Sequence, residues 1–90
     1  MFEQINEPID VVAVFSTKGG SASGGNRELK PFKFLWKGRE FIVKKINLVY
    51  SSFEGRSKIY YFAVSDDSNY FKLRFDTESL HWTLLESYVD

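Results

Sequence analysis

From residue 9 onward the chain alternates between apolar and polar side chains. In "NYFKLRF" (69–75), Phe71, Leu73 and Phe75 fall on one side and Tyr70, Lys72 and Arg74 on the other. That is the period of two which places one face of a β-strand in a core and the other in water. "PFKFLWK" (31–37) repeats it, with Phe32, Phe34 and Trp36 against Lys33, Leu35 and Lys37. "IDVVAVFS" (9–16) and "SKIYYFAV" (57–64) are β-branched and aromatic runs of strand length. "REFIVKKINLVY" (39–50) reads as one long strand whose phase slips near Lys44-Lys45, because Phe41 and Val43 share a parity that Ile46 and Leu48 do not. One extra residue there, a β-bulge, would restore a continuous core face and bend the sheet. "LHWTLLESYV" (80–89) sets Leu80, Trp82 and Leu84 on one face as a strand; it also reads as a short helix.

The connections are short. Lys37-Gly38 predicts a tight hairpin turn, since Gly accepts positive φ without a Cβ penalty. "SSFEGR" (51–56), "SDDS" (65–68) and "DTES" (76–79) supply the other turns. About six strands and no convincing helix predict an all-β chain, folded as one domain over residues 1–90. A flat antiparallel sheet of this size would leave an apolar face wet and two edges open, and curling covers both. The expected fold is therefore a small, strongly bent antiparallel sheet or SH3-like barrel. Its core face would carry Phe32, Phe34, Trp36, Phe41, Val43, Phe62, Val64, Phe71, Leu73, Phe75, Trp82 and Leu84.

One segment has no pattern at all. "GGSASGG" (19–25) carries no charge and no large apolar group. It predicts a flexible loop at 18–27, inside a connection of about a dozen residues from Thr17 to Lys30, where added length costs only about 0.6 kcal/mol per doubling. It reads equally as a natural loop that orders on a partner and as an engineered spacer in place of a native loop.

Composition supports a well-filled core. Nine Phe, five Tyr and two Trp in 90 residues each offer about 150–250 Å² to bury. The chain contains no Cys, which excludes disulfides and thiolate metal sites and fits a reducing, cytoplasmic setting. "MFEQINEPID" lacks the features of a signal peptide, and the apolar stretch Val11 to Phe15 is far short of a membrane span. A soluble protein with no membrane partner is expected. Net charge is zero but uneven. Residues 1–29 hold two basic and four acidic groups, residues 30–58 eight and two, and residues 59–90 two and six.

Catalytic chemistry is not legible. Gly20 and Gly25 have the spacing of a phosphate-binding loop, but Asn26-Arg27 stand where Lys and Ser/Thr are needed. "KGREFIVK" (37–44) copies part of an RNA-recognition signature, and a plain hairpin turn explains it better. His81, the sole His, reads as a surface residue, and "DDSN" (66–69) as a solvated turn rather than a calcium loop. No nucleophile, base and orienting group assemble, so a non-enzymatic protein without cofactor is expected.

The outward face offers a binding surface. Lys33, Lys37, Lys44, Tyr61, Tyr70, Lys72 and Arg74 would lie opposite the core, and cations interleaved with tyrosines can track a phosphate backbone and stack bases. The ordinary alternative is that alternating strands must put soluble residues outside. "FLWKGREFIVKKI", "YYFAV", "YFKLRFD" and "HWTL" together resemble a family of small bacterial all-β domains of unknown function, over roughly residues 32 to 85. Some of these lie beside or fused to translesion DNA polymerases, so the resemblance implies an accessory role in DNA repair. Two functions are thus expected as alternatives. One is a binding module associated with nucleic acid or a DNA-repair protein. The other is a protein-interaction or structural barrel, with a dimer through an edge strand such as residues 9–16.

Overall fold

The computed structural model describes residues 2–17 and 27–89. Seven strands run in chain order: β1 (Phe2–Thr17), β2 (Arg27–Trp36), β3 (Arg39–Ile42), β4 (Lys45–Glu54), β5 (Ser57–Ser65), β6 (Asn69–Asp76) and β7 (Trp82–Val89). They form one sheet in the order β3-β2-β1-β7-β6-β5-β4. Every neighbouring pair is antiparallel. No helix is long and apolar enough to cross a membrane among the described residues.

Two-residue turns join the hairpins. Trp36 pairs with Arg39 across Lys37 (φ 53°) and Gly38 (φ 73°), so both central residues are left-handed, as a type I′ turn requires. Glu54 pairs with Ser57 across Gly55 and Arg56, with φ 64° at Gly55, the position where a II′ turn needs it. The other two turns rest on aspartates. Asp66 Oδ1 accepts from the Ser68 and Asn69 amides at 3.0 and 2.8 Å, and Asp76 Oδ1 accepts from those of Glu78 and Ser79 at 2.9 and 3.2 Å. These bonds hold both carboxyls below the usual carboxylate range; at Asp66 partial burial pushes upward and the bonds outweigh it.

β1 is the spine. Its first half pairs with β7 (Phe2↔Tyr88 to Ile9↔Trp82) and its second half with β2 (Asp10↔Leu35 to Thr17↔Arg27). The bend lies between Gln4 and Glu7, where Asn6 adopts φ 52°, a conformation Asn tolerates better than most residues. The sequence signal starts only at Ile9, because "FEQINEP" has no alternating pattern and sends only Ile5 against the core. Pairing also continues to Thr17 and Arg27, which shortens the expected 17–30 loop. The flexible-loop expectation otherwise lies outside the described residues.

The expected slip near Lys44-Lys45 is a break in the strand. Val43 N–H donates to Phe32 O at 2.9 Å, and the next amide, Lys44 N–H, donates to Ser65 O at 3.0 Å. Adjacent residues thus bond to strands β2 and β5, near opposite ends of the sheet. The chain crosses from one terminal strand to the other in a single step, but β3 and β4 do not pair. The sheet is strongly bent and is not closed into a barrel.

The core fills the concave face. Phe62, Val64, Phe71, Leu73, Phe75, Trp82 and Leu84 are buried there with Ile9 and Phe34. Phe34 reaches from β2 to stack on Phe41 (5.2 Å) and to meet Phe71 edge-on (5.0 Å), and Phe75 packs on Trp82 at 4.6 Å. Trp36, Phe41 and Val43 are half-buried against this cluster. Three expected inward positions are corrected. Phe32 is 54% exposed because the β1–β2 register jumps from Val12↔Lys33 to Ala13↔Pro31, leaving Phe32 as the extra residue of a bulge. Leu48 is exposed because a second irregularity falls at Asn47, between Ile46↔Val64 and Leu48↔Ala63, and turns it to the convex side. Leu80 is exposed because it belongs to the turn, with φ 62°, and β7 begins at Trp82.

Candidate interaction site

The seven expected binding residues do not form one surface. Tyr61, Tyr70, Lys72 and Arg74 share the convex side of β5 and β6, where Tyr61 opposes Arg74 in register. Lys33 lies on β2, Lys37 in the β2–β3 turn and Lys44 at the crossing between β3 and β4. Most of the cations are already engaged. Lys33 Nζ lies 3.2 Å from Glu40, Lys44 Nζ 2.6 Å from Asp67, and Arg74 Nη2 2.7 Å from Glu54. Lys37 sits over the Trp36 ring at 5.0 Å. His81 is exposed in the turn before β7, and no cluster of His, Asp and Glu able to hold a metal occurs among the described residues.

The convex patch is a compact polar cluster. Tyr50 of β4 stacks on Tyr61 at 4.9 Å, a ring the outward-face expectation omitted. Lys72 Nζ lies 5.5 and 5.7 Å from the centroids of these two rings, and the Tyr50 side chain raises its pKa above the ordinary lysine value despite partial burial, with Glu86 and Tyr61 assisting. Burial opposes the charge on Arg74, and Tyr61 and Glu54 more than restore it. Glu54 also accepts from Tyr61 Oη at 3.2 Å. At Lys44 the hydrogen bond and charge of Asp67 raise the pKa. On meeting a nucleic-acid backbone, cations held beside carboxylates would exchange some of these contacts for phosphate.

A different site is more open. The β2–β3 pairing ends at Ile42↔Lys33, followed by the single Val43 N–H bond to Phe32 O, and β4 ends the sheet at the other limit. Between them lies a groove of about 1070 Å³. Ile46, Tyr60, Phe62 and Phe75 line its floor, and the exposed side chains of Phe15, Phe32, Val49 and Leu80 line its walls. Lys44 and Lys45 stand at its rim.

β4 itself is unusual for a terminal strand. Nine of its ten residues are exposed, among them Leu48, Val49, Tyr50 and Phe53. Soluble proteins normally blunt such an edge with Pro, charge or brevity, and "KINLVYSSFE" is long and charged only at its ends. The register gives each side chain a face. Val49 opposes core residue Phe62 and is concave, while Tyr50 opposes Tyr61 and is convex. Three consecutive apolar residues, Leu48-Val49-Tyr50, were the sequence signal for this two-faced strand. In the expected edge at 9–16, Ile9 pairs with Trp82, where the β7 pairing ends, and residues 10–16 pair with β2 on one side. No protein-family model, curated protein or solved structure matches this chain.

Proposed function

We propose that the domain is a non-enzymatic protein-interaction module that receives an extended polypeptide strand along the outer edge of β4. The added strand pairs by backbone hydrogen bonds and seats its concave-facing apolar side chains at the mouth of the groove. This is recognition by β-strand addition, in which the ladder gives affinity and alternate side-chain pockets give specificity. The observation that carries it is the ten-residue terminal strand with exposed Leu48, Val49, Tyr50 and Phe53 beside an apolar groove. Lys45 at one end and Glu54 at the other favour a strand carrying opposite charges at matching ends.

An amide-resolved titration with a blocked decapeptide of the sequence 45–54 tests the reading, with the chain dilute. Shifts should concentrate on β4 and on groove residues such as Phe15 and Val49, and Leu48→Lys with Val49→Lys should weaken them. Shifts confined to the convex face of β6 and β7, or no shifts, would refute it. The nucleic-acid expectation is separated by the same method with a short single-stranded oligonucleotide, where Lys72 and Arg74 would respond and the response would fade with salt.

A further inference from the structure

Resting on the strand-addition reading, we infer that the strand received by β4 is the β4 of a second copy, paired antiparallel about a two-fold axis at Tyr50. Two identical edges joined antiparallel share their faces, so each residue must meet one that points to the same side. The faces of β4 follow from its pairing with β5: Ile46, Val49, Ser51 and Phe53 are concave, and Lys45, Leu48, Tyr50, Ser52 and Glu54 are convex.

Centring the axis on Tyr50 satisfies this rule along the whole strand. Tyr50 meets the second copy's Tyr50, Val49 meets Ser51, and Leu48 meets Ser52. Asn47 is the extra residue between Ile46↔Val64 and Leu48↔Ala63. Stepping over it, Ile46 meets Phe53 on the concave side and Lys45 meets Glu54 on the convex side. Paired without stepping over Asn47, Ile46 would meet Glu54, a concave residue against a convex one. With that step, each end closes with an apolar pair and an opposite-charge pair, and symmetry supplies both twice. Glu54, already bonded to Arg74, keeps a side-chain exposure of 54% with which to accept the incoming Lys45. The occupant is thus chosen by complementarity of charge, face and register, and pairing hides the apolar edge.

Sedimentation equilibrium of the whole chain reads the association, and cysteine cross-linking reads the register. The chain has no Cys, so each introduced thiol is the sole one. Directly opposed residues have Cα atoms about 4.5–5.5 Å apart, within the 4.4–6.8 Å a disulfide accepts, whereas diagonal neighbours lie about 7–8 Å apart. In a glutathione buffer, Tyr50→Cys chains should cross-link at least tenfold faster than Val49→Cys chains. A mixture of Val49→Cys and Ser51→Cys chains should cross-link as fast as Tyr50→Cys. Lys45→Glu should weaken the dimer roughly tenfold, since like charges would face each other twice. If loss of the Tyr50–Tyr61 stack unfolds the Tyr50→Cys chain, mixed Leu48→Cys and Ser52→Cys chains report the same register.

A dimer whose Tyr50→Cys and Val49→Cys forms cross-link equally slowly overturns the inference. So does a chain that sediments as a monomer at millimolar concentration. In the latter case, binding of the 45–54 decapeptide would leave strand addition standing, and its failure would remove both.

Discussion

Phe32 and Phe34 are two residues apart, both aromatic, and equivalent by alternation, yet the bulge opposite Val12 and Ala13 sends one outward and the other into the core. Truncating each in turn tests that register. Phe34 is 1% exposed and contacts the Phe41 and Phe71 rings at 5.2 and 5.0 Å. Removing a buried Phe costs about 3–5 kcal/mol through lost transfer energy and the cavity left behind, and these ring contacts place Phe34→Ala at the upper end. Phe32 keeps more than half its surface in water, so Phe32→Ala should cost about 1 kcal/mol by the area it buries. Domains of this size have about 5–15 kcal/mol in total, so Phe34→Ala would consume a third or more of it. Urea unfolding followed by Trp36 and Trp82 fluorescence reads both variants. The midpoint should fall sharply for Phe34→Ala and barely for Phe32→Ala, with unchanged slope. Equal losses, or a larger loss at Phe32, would refute the bulge and the core assignment built on it.

Gly38→Ala should destabilise the β2–β3 hairpin by about 1–2 kcal/mol, the cost of a Cβ in left-handed backbone. Nothing lies within 4 Å of the added methyl, so a much larger loss in denaturant melts would show that space rather than φ decides. Asp66 and Asp76 have lowered folded pKa values, so the stability they supply is complete above the ordinary carboxylate range and is lost as pH falls through their folded values. Double substitution Asp66→Asn, Asp76→Asn should therefore flatten the acid limb of a stability–pH profile, and an unchanged limb would assign it to other groups. Lys72→Glu with Arg74→Glu should abolish any salt-sensitive oligonucleotide binding, whereas Leu48→Lys with Val49→Lys should weaken decapeptide binding and spare any oligonucleotide binding. A loss of both by either pair would mean that the convex face and the edge act as one site.

The parts of the fold legible in the sequence are those set by neighbours in the chain. The alternation of 69–75 and the Lys37-Gly38 turn needed no distant partner to be read, because period and positive φ are local properties. Phe32 was misassigned because its bulge arises where β2 meets β1, a contact between distant segments. Residues 2–8 were passed over because they pair only with β7 and contribute one isolated apolar residue, Ile5, to the core. The candidate site was hardest to see. A groove formed where two strands fail to pair leaves no motif, and only the unbroken apolar triplet at 48–50 pointed toward β4. The lysines and tyrosines of the outer face were legible as residues, but their engagement with Glu40, Glu54 and Asp67 depended on register.

The pairing of Phe2 with Tyr88 has a kinetic consequence. β1 is held by β7, so during synthesis its Phe2–Ile9 half must wait, unpaired, until residues 82–88 have emerged. Assembly dominated by such distant closures is slow, on the order of milliseconds to seconds. A nascent chain halted before residue 82 would expose the β6 edge as well as β4. Arrest there would leave open strand edges available for pairing between chains.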